Sequence, residues 1–220
     1  MKLYTIETGF FKLDGGAMFG VVPKSLWERT NPADDRNLCT WAMRCLLVED
    51  GDRLTLIDTG IGAKQDEKFF SHYHLHGDAT LDRSLAAHGF HRDDITDVFL
   101  THLHFDHVGG AVARHGDQLR PAFANARYWS HARHWDGATN PNPREKASFL
   151  RENIMPLQES GQLNLIEVDS ARITTPLDST PSSSMATPTP RCAPSSTTAA
   201  KPWCIWPTFC RLLVIFRCPT

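Results

Sequence analysis

Alternation of apolar and polar residues predicts a sheet in the first quarter of the chain. Residues 2–13 alternate as a half-buried strand does, Asp14-Gly15-Gly16 predicts a turn, and residues 17–23 could form the returning strand. Two further strands, residues 39–49 and 53–57, flank an Asp-Gly-Asp turn and predict a hairpin.

Helical and strand patterns alternate after this hairpin, which favours a mixed sheet flanked by helices. Thr80 precedes one apolar-periodic stretch and could cap its helix. The predicted helices are 65–76, 81–88, a stretch starting at 131–135, and an amphipathic helix at 144–159; the predicted strands are 95–101, 124–130 and 163–168.

The segment that follows the strand at 95–101 carries the strongest chemical signal. Residues 101–110 are Thr-His-Leu-His-Phe-Asp-His-Val-Gly-Gly, and a helix could begin at the glycines. A loop between a strand and a helix lies at the carboxyl edge of a sheet, where α/β proteins place their sites. Imidazole nitrogens and carboxylate oxygens are ligands that zinc prefers. A solvated, His-rich loop is the alternative, but four possible ligands so close together favour a metal site.

The spacing of these ligands could serve two metal ions. In an extended loop His102 and His104 point to one side, whereas Asp106 and His107 can turn towards a second point.

This segment resembles the metal-binding signature of the metallo-β-lactamase superfamily, and the surrounding sequence resembles its lactonase-type members. The supporting segments are Leu-Ile-Asp-Thr-Gly at 56–60, the loop at 101–110 and residues 15–23. The resemblance covers about residues 1–168. It implies an α/β fold, the four-layer αβ/βα sandwich with an incomplete second half: residues 1–169 would form the N-terminal half, with the metal loop.

The resemblance also implies roles for individual residues. His102, His104, Asp106 and His107 would be metal ligands, and Asp106 would also help to protonate the leaving alkoxide. Asp58 would orient the histidine loop by hydrogen bonding; an Asx turn is the alternative. Zinc is the expected cofactor, with two ions in intact relatives, and iron, manganese and cobalt remain open. A small-molecule lactone or ester is the expected substrate, with thioester, phosphodiester and iron-based redox reactions as alternatives.

The charge composition of this chain argues against nucleic acids and anionic membranes as binding partners. The formal net charge of -2 over 220 residues leaves no polybasic footprint for nucleic acid or an anionic membrane. The first residues lack an apolar signal-peptide core, which predicts a cytoplasmic protein. Cys39 and Cys45 are expected to be buried or reduced thiols.

The other histidines favour structural roles. His72, His74 and His76 alternate along a predicted helix and so point to different faces, which favours solvated or packing roles over metal binding. His131 and His134 share one helix face, where they could border a substrate pocket, but structural roles are favoured.

The composition changes abruptly near residue 170. All eleven histidines lie at or before His134, whereas the last fifty residues hold eight of the fourteen prolines and one acidic residue, Asp178. Residues 170–220 are rich in Ser, Thr and Pro and then in Cys and Trp, and are predicted to be disordered or poorly folded. The apolar stretch at 203–216 is too short, and too interrupted by Pro207 and Arg211, for a transmembrane helix, which needs about 20 apolar residues.

A frameshift accounts for this change. Suppose that the reading frame is shifted one base upstream, so that each new codon takes the last base of one codon and the first two bases of the next. The codons of Met185 and Ala186 then always give Gly, and the codon pairs that follow allow His-Thr-Asp-Ala-Gln-Met. In the same way, the codons of Trp203 and Cys204 always give Val, and those of Trp206 and Pro207 always give Ala. The codon pairs after this Ala allow Asp-Leu-Leu-Pro. Both readings resemble the later metal-ligand motifs of the superfamily. We therefore hypothesise a single-base insertion or deletion between about residues 170 and 181, followed by a premature stop.

The literal chain then lacks the third histidine, the bridging aspartate and the last histidine that the resemblance implies. Two ligands per metal ion remain, fewer than the three or four of protein zinc sites. We expect weak or no metal binding, a tendency to misfold because a sheet face stays uncovered, and little activity. Two functions stay open: a metal-dependent hydrolase, or a non-catalytic remnant of one.

Overall fold

The structure of the protein is a computed structural model, which describes residues 1–167 of the 220-residue chain. The predicted tail and the frameshift hypothesis concern residues outside this described range. The strands are β1 (Lys2–Asp14), β2 (Leu38–Asp50), β3 (Arg53–Ile57), β4 (Asp97–Phe99), β5 (Val112–His115), β6 (Gln118–Pro121), β7 (Arg127–His131) and β8 (Leu163–Ile166). The helices are α1 (Gly15–Phe19), α2 (Lys24–Trp27), α3 (Glu67–Tyr73), α4 (Leu81–Ala87), α5 (Phe105–Val108), α6 (Ala132–Thr139) and α7 (Arg151–Glu159), with 3₁₀ turns at Arg92–Asp94, Gly109–Ala111 and Lys146–Ser148.

A mixed six-stranded sheet forms the centre of the fold, as the alternating elements predict. Its strand order is β1-β2-β3-β4-β7-β8. The first three strands are antiparallel, and β3, β4, β7 and β8 run parallel to one another. The predicted hairpin is present, since Asp50 pairs with Arg53 across the turn. No helix within residues 1–167 is long and apolar enough to cross a membrane.

One face of this sheet holds the main core. Leu47, Leu56, Val98 and Tyr128 lie in register across four neighbouring strands, and all four are buried. The same cluster includes buried leucines and an isoleucine from the helices: Leu81 and Leu85 of α4, and Ile154 and Leu157 of α7. Cys39 and Cys45 are buried free thiols, as expected.

A second buried cluster extends this core towards the metal loop. Phe11, Met43, Ile61 and Phe105 form it. Aromatic residues of α3 pack against it, and the Tyr73 ring lies 4.5 Å from the Phe105 ring. The residue between His104 and Asp106 is therefore an apolar anchor of the loop.

The returning strand predicted at residues 17–23 is wrong. One carboxylate oxygen of Asp14 accepts hydrogen bonds from the backbone N–H groups of Gly16 and Ala17, at 2.7 and 3.1 Å. This side-chain cap begins a short helix instead of a hairpin turn. β1 pairs with β2 along its length, so the position of a returning strand is already taken.

Three helix boundaries also differ from the predictions. The helix after the metal loop begins at Phe105, before the glycines, and Gly109–Ala111 is a 3₁₀ turn. The helix expected at 144–159 is divided, because Phe149 and Leu150 adopt extended backbone angles. The helix expected at 65–76 is shorter, since Asp66 caps its start and His74, with φ of 44°, ends it.

Asp97 offers a test of this architecture, because its carboxylate is fully buried within the sheet. It accepts hydrogen bonds from the Trp129 indole at 2.8 Å and from Arg53 at 3.2 Å, and it pairs with Arg127 at 3.1 Å. We expect Asp97→Ala to lower the free energy of unfolding by about 3 kcal/mol, because it removes the buried acceptor that these groups share. The measurement is urea denaturation.

The matched control is Asp93→Ala, since the Asp93 side chain is 63% exposed. We expect it to change the free energy of unfolding by less than about 0.5 kcal/mol. Equal effects of the two substitutions would contradict the structural role of Asp97.

Candidate metal centre

The candidate ligands lie on the loop after β4, at the carboxyl edge of the parallel strands. His104 has extended backbone angles. Leu103 is completely buried, and the ring centroids of the flanking His102 and His104 lie 4.7 Å apart. The loop therefore brings its first two candidate ligands close together on either side of a buried leucine.

Helix α5 supplies the other two candidate ligands. The rings of His107 and His102 are 3.9 Å apart, closer than those of His102 and His104. Nε2 of His107 lies 3.5 Å from a carboxylate oxygen of Asp106. The structure thus brings these four side chains together in one small patch.

Asp58 lies between the loop and β3. Its carboxylate accepts hydrogen bonds from the Thr101 N–H at 2.9 Å and from the Thr101 hydroxyl at 2.7 Å. Its Oδ2 also lies 2.8 Å from Nδ1 of His107. Because a carboxylate only accepts, Nδ1 of His107 carries the proton, and in the neutral ring Nε2 keeps its lone pair on the side of Asp106.

Burial and neighbouring charges set the pKa values of His102, His104 and His107. It lowers the pKa of His102 to about 2, with smaller contributions from the neighbouring His107, His104 and His134. Burial also lowers the pKa of His104. For His107 burial acts in the same direction, but the hydrogen bond to Asp58 and the charges of Asp58 and Asp106 outweigh it and raise the pKa. His102 and His104 are therefore neutral at pH 7, which is the metal-binding form of histidine.

Close backbone contacts hold the far end of the loop against residues 59–61. A Cβ atom on Gly109 would lie 2.0 Å from the Ile61 carbonyl oxygen, and one on Gly110 would lie 2.2 Å from that of Thr59. The Thr59 N–H and hydroxyl both donate to the His107 carbonyl at 2.8 Å. The two glycines are thus required by close approach.

Lys64 is a buried lysine next to the metal loop that no sequence prediction identified. Its ammonium group donates to the Gly109 carbonyl, and the residue is 8% exposed. Burial lowers the pKa of Lys64 to about 7; the charge of Glu152 opposes this shift, and that of Arg114 adds to it. No sequence pattern marks this lysine, which lies two residues before the helix cap Asp66.

The remaining histidines have structural positions. His72, His74 and His76 are exposed around the end of α3, and the His76 ring stacks on Phe10 at 5.6 Å. His131 caps α6 by accepting the Arg133 N–H at 3.1 Å. His134 accepts the backbone N–H of Leu103 in the metal loop at 2.9 Å.

The imidazole and carboxylate groups of the four candidate ligands suit a divalent metal ion, but fewer than three of them are placed around one common point. Two ligands of one tetrahedral zinc ion, each about 2.0–2.2 Å from it, lie about 3.4 Å apart. The separation of 3.5 Å between His107 and Asp106 fits this geometry. Within residues 1–167, however, no group of three or more His, Cys, Asp or Glu side chains is arranged to hold a metal ion.

Comparison with known proteins identifies relatives. Residues 44–166 match the metallo-beta-lactamase superfamily. Probable metallo-hydrolases of Mycobacterium bovis and Mycobacterium tuberculosis are each 32% identical over 114 residues, which is 48% of this chain and 34% of theirs. The match therefore spans about a third of the length of these curated relatives.

Solved structures share the fold. A probable metal-dependent hydrolase from Staphylococcus aureus superposes with a TM-score of 0.68 at 32% identity, over 76% of this chain and 58% of that one. AidC, a dizinc quorum-quenching lactonase, superposes with a TM-score of 0.58 at 24% identity, over 78% of this chain and 59% of that one. At this identity the likeness to the lactonase concerns the fold alone.

Gly109→Ala tests the close contact between the loop and Ile61. The added methyl group cannot fit at 2.0 Å from a carbonyl oxygen. We expect a loss of about 2–4 kcal/mol in the free energy of unfolding, measured by urea denaturation, because the backbone must shift.

Gly137→Ala is the control for this substitution. Gly137 lies in α6, and apart from the adjoining backbone of its own helix no atom lies within 4 Å of the position that a Cβ atom would take there. Alanine should therefore stabilise the helix by up to about 1 kcal/mol. A neutral Gly109→Ala substitution would contradict the close approach.

Lys64 predicts a dependence of stability on pH. Its pKa is about 7 in the folded protein, against an ordinary value of 10.5. Below pH 7 both states are protonated, whereas between about 7 and 10.5 only the unfolded state holds the proton, so its contribution to stability rises with pH. Relative to Lys64→Met, the wild-type chain should gain up to about 1.4 kcal/mol per pH unit in this range. Urea denaturation at several pH values measures this gain, and a constant difference between the two proteins would contradict the burial of the charge.

Proposed function

This chain belongs to the metallo-beta-lactamase superfamily, and we propose that it derives from a metal-dependent hydrolase that opens a small-molecule lactone or ester. One observation carries the proposal: the Nε2 atom of His107 and the carboxylate of Asp106 lie 3.5 Å apart, while Asp58 holds the opposite nitrogen of the same ring. An imidazole whose second nitrogen is bound to a carboxylate is the usual arrangement of a metal-ligating histidine.

In this proposal His102, His104, Asp106 and His107 hold the metal, and Asp58 orients them. All four candidate ligands offer imidazole nitrogen or carboxylate oxygen, which suits zinc and also iron, manganese or cobalt. When bound, such an ion lowers the pKa of a water molecule and polarises a carbonyl group, which is the chemistry that ester hydrolysis needs.

Asp106 has a second proposed role, in proton transfer. Its carboxylate is 18% exposed at the open edge of the patch, so one oxygen can face His107 while the carboxyl group reaches a substrate. It could therefore hold a proton and deliver it to the alkoxide that leaves when the ester bond breaks. The names of the lactonases that share the fold support a lactone as substrate.

A non-catalytic remnant is the second candidate function, and the number of ligands favours it. Residues 1–167 offer no group of three donors, and protein zinc sites use three or four. The frameshift hypothesis accounts for the missing donors, because the shifted reading frame allows the Gly-His-Thr-Asp and Ala-Asp-Leu-Leu-Pro motifs. The two candidates thus apply to two versions of one chain.

A comparison of the literal chain with a frame-restored chain tests both candidates. We expect the restored chain to bind about two zinc ions and to hydrolyse N-acyl-homoserine lactones or simple esters. The literal chain should bind less than one ion and show no hydrolysis above background. Zinc content is measured by plasma mass spectrometry, and hydrolysis by release of acid.

Substitutions in the restored chain assign the ligands. His104→Ala should lose at least one ion, whereas His115→Ala, at an exposed histidine of the β5–β6 hairpin, should lose none. Tight binding of zinc by the literal chain would refute the argument from ligand number. Absence of hydrolysis by a folded, zinc-loaded restored chain would refute the proposed activity.

A further inference from the structure

His134 of helix α6 makes a direct hydrogen bond to the candidate metal loop. Its Nε2 atom accepts the backbone N–H of Leu103 at 2.9 Å. Leu103 is completely buried and lies directly between His102 and His104. The bond therefore reaches the loop at the centre of its first ligand pair.

This bond meets a need of the loop backbone. Leu103 lies beyond the end of β4 at Phe99, so its N–H is outside the ladder of the parallel sheet. A buried N–H without an acceptor destabilises a fold, because the group has lost its hydrogen bond to water. The bond also fixes the plane of the peptide that joins His102 to Leu103, and with it the directions of the side chains on both sides.

The same bond excludes His134 as a metal ligand through Nε2. Since the lone pair of this nitrogen accepts a hydrogen bond, the proton of the neutral ring lies on Nδ1. His134 would otherwise be a candidate for a metal ligand, because its ring centroid lies only 6.3 Å from that of His102.

Phe149 holds the His134 ring in this position. Its ring lies 5.9 Å from His134 and 4.9 Å from His104, so it packs against both the loop and its support. The extended backbone at Phe149, which divides the helix expected at 144–159, brings the ring to this place.

We propose that His134 is a positioning residue that keeps His102 and His104 directed to the same side through its hydrogen bond to Leu103. The role of these histidines as ligands rests on the proposed function, whereas the hydrogen bond itself does not.

Amide hydrogen exchange of Leu103 in the full 220-residue chain tests the bond without metal. We expect His134→Leu, which cannot accept a hydrogen bond, to speed exchange at Leu103 at least about tenfold, whereas His134→Gln retains an acceptor and should restore most of the protection. His131→Gln, at the cap of the same helix, is the control and should leave Leu103 unchanged. Nitrogen NMR should find Nδ1 of His134 protonated. Unchanged exchange in His134→Leu, or a protonated Nε2, would overturn the proposal.

Zinc affinity, measured by competition with a chromophoric chelator, tests the consequence for the site. We expect His134→Leu to weaken binding about tenfold or more and His134→Gln to stay within about threefold of the wild type. Equal affinity in all three proteins would overturn the positioning role. If the wild-type chain binds no zinc, as the non-catalytic remnant predicts, the exchange experiment alone decides the role of His134.

Discussion

The carboxylate of Asp58 is the contact on which the candidate site depends. It joins the ends of two neighbouring parallel strands, because Asp58 follows β3 while its partner Thr101 follows β4. Its Oδ2 atom also lies 2.8 Å from Nδ1 of His107, six residues further along the chain than Thr101. Hydrogen bonds to a charged acceptor are about twice as strong as neutral ones, so a single side chain sets both the start and the middle of the loop. The left-handed backbone at Asp58, with φ of 60°, is a conformation that aspartate tolerates better than most residues, and it turns the carboxylate towards the loop.

The rest of the loop is fixed from two further directions. Gly109 and Gly110 lie against the backbone of residues 59–61, where any side chain would collide. On the opposite side, His134 and Phe149 contact the segment between His102 and His104. Protein contacts alone therefore arrange the four candidate ligands, and a metal ion would find them already oriented. A buried lysine beside this arrangement adds a cost of desolvation, which its single backbone acceptor, the Gly109 carbonyl, partly offsets.

The sequence predicted the parts of this structure that depend on local patterns. The Asp-Gly-Asp hairpin, the mixed sheet and the placement of the His/Asp loop at a strand end follow from alternation and turn chemistry. Residues 15–23 were mispredicted because Asp14 caps a helix that has no apolar period of its own. The hydrogen bond between Leu103 and His134 joins residues 31 positions apart, and the contact between Lys64 and Gly109 joins residues 45 positions apart. No local sequence pattern encodes contacts over such separations.

Orientation and retention of a metal ion have separate physical origins in this chain. Orientation comes from Asp58, the glycine contacts and His134, all of which lie within residues 1–167. Retention depends on the number of donors, because each missing ligand must be replaced by water, which binds the ion no better than bulk solvent does. Residues 1–167 provide oriented donors but no group of three. Under the proposed function, loss of the later motifs would therefore leave the loop geometry intact while greatly weakening the hold on the metal. The fold of residues 1–167 would then be retained, whereas the metal chemistry, which needs the later motifs, would be lost.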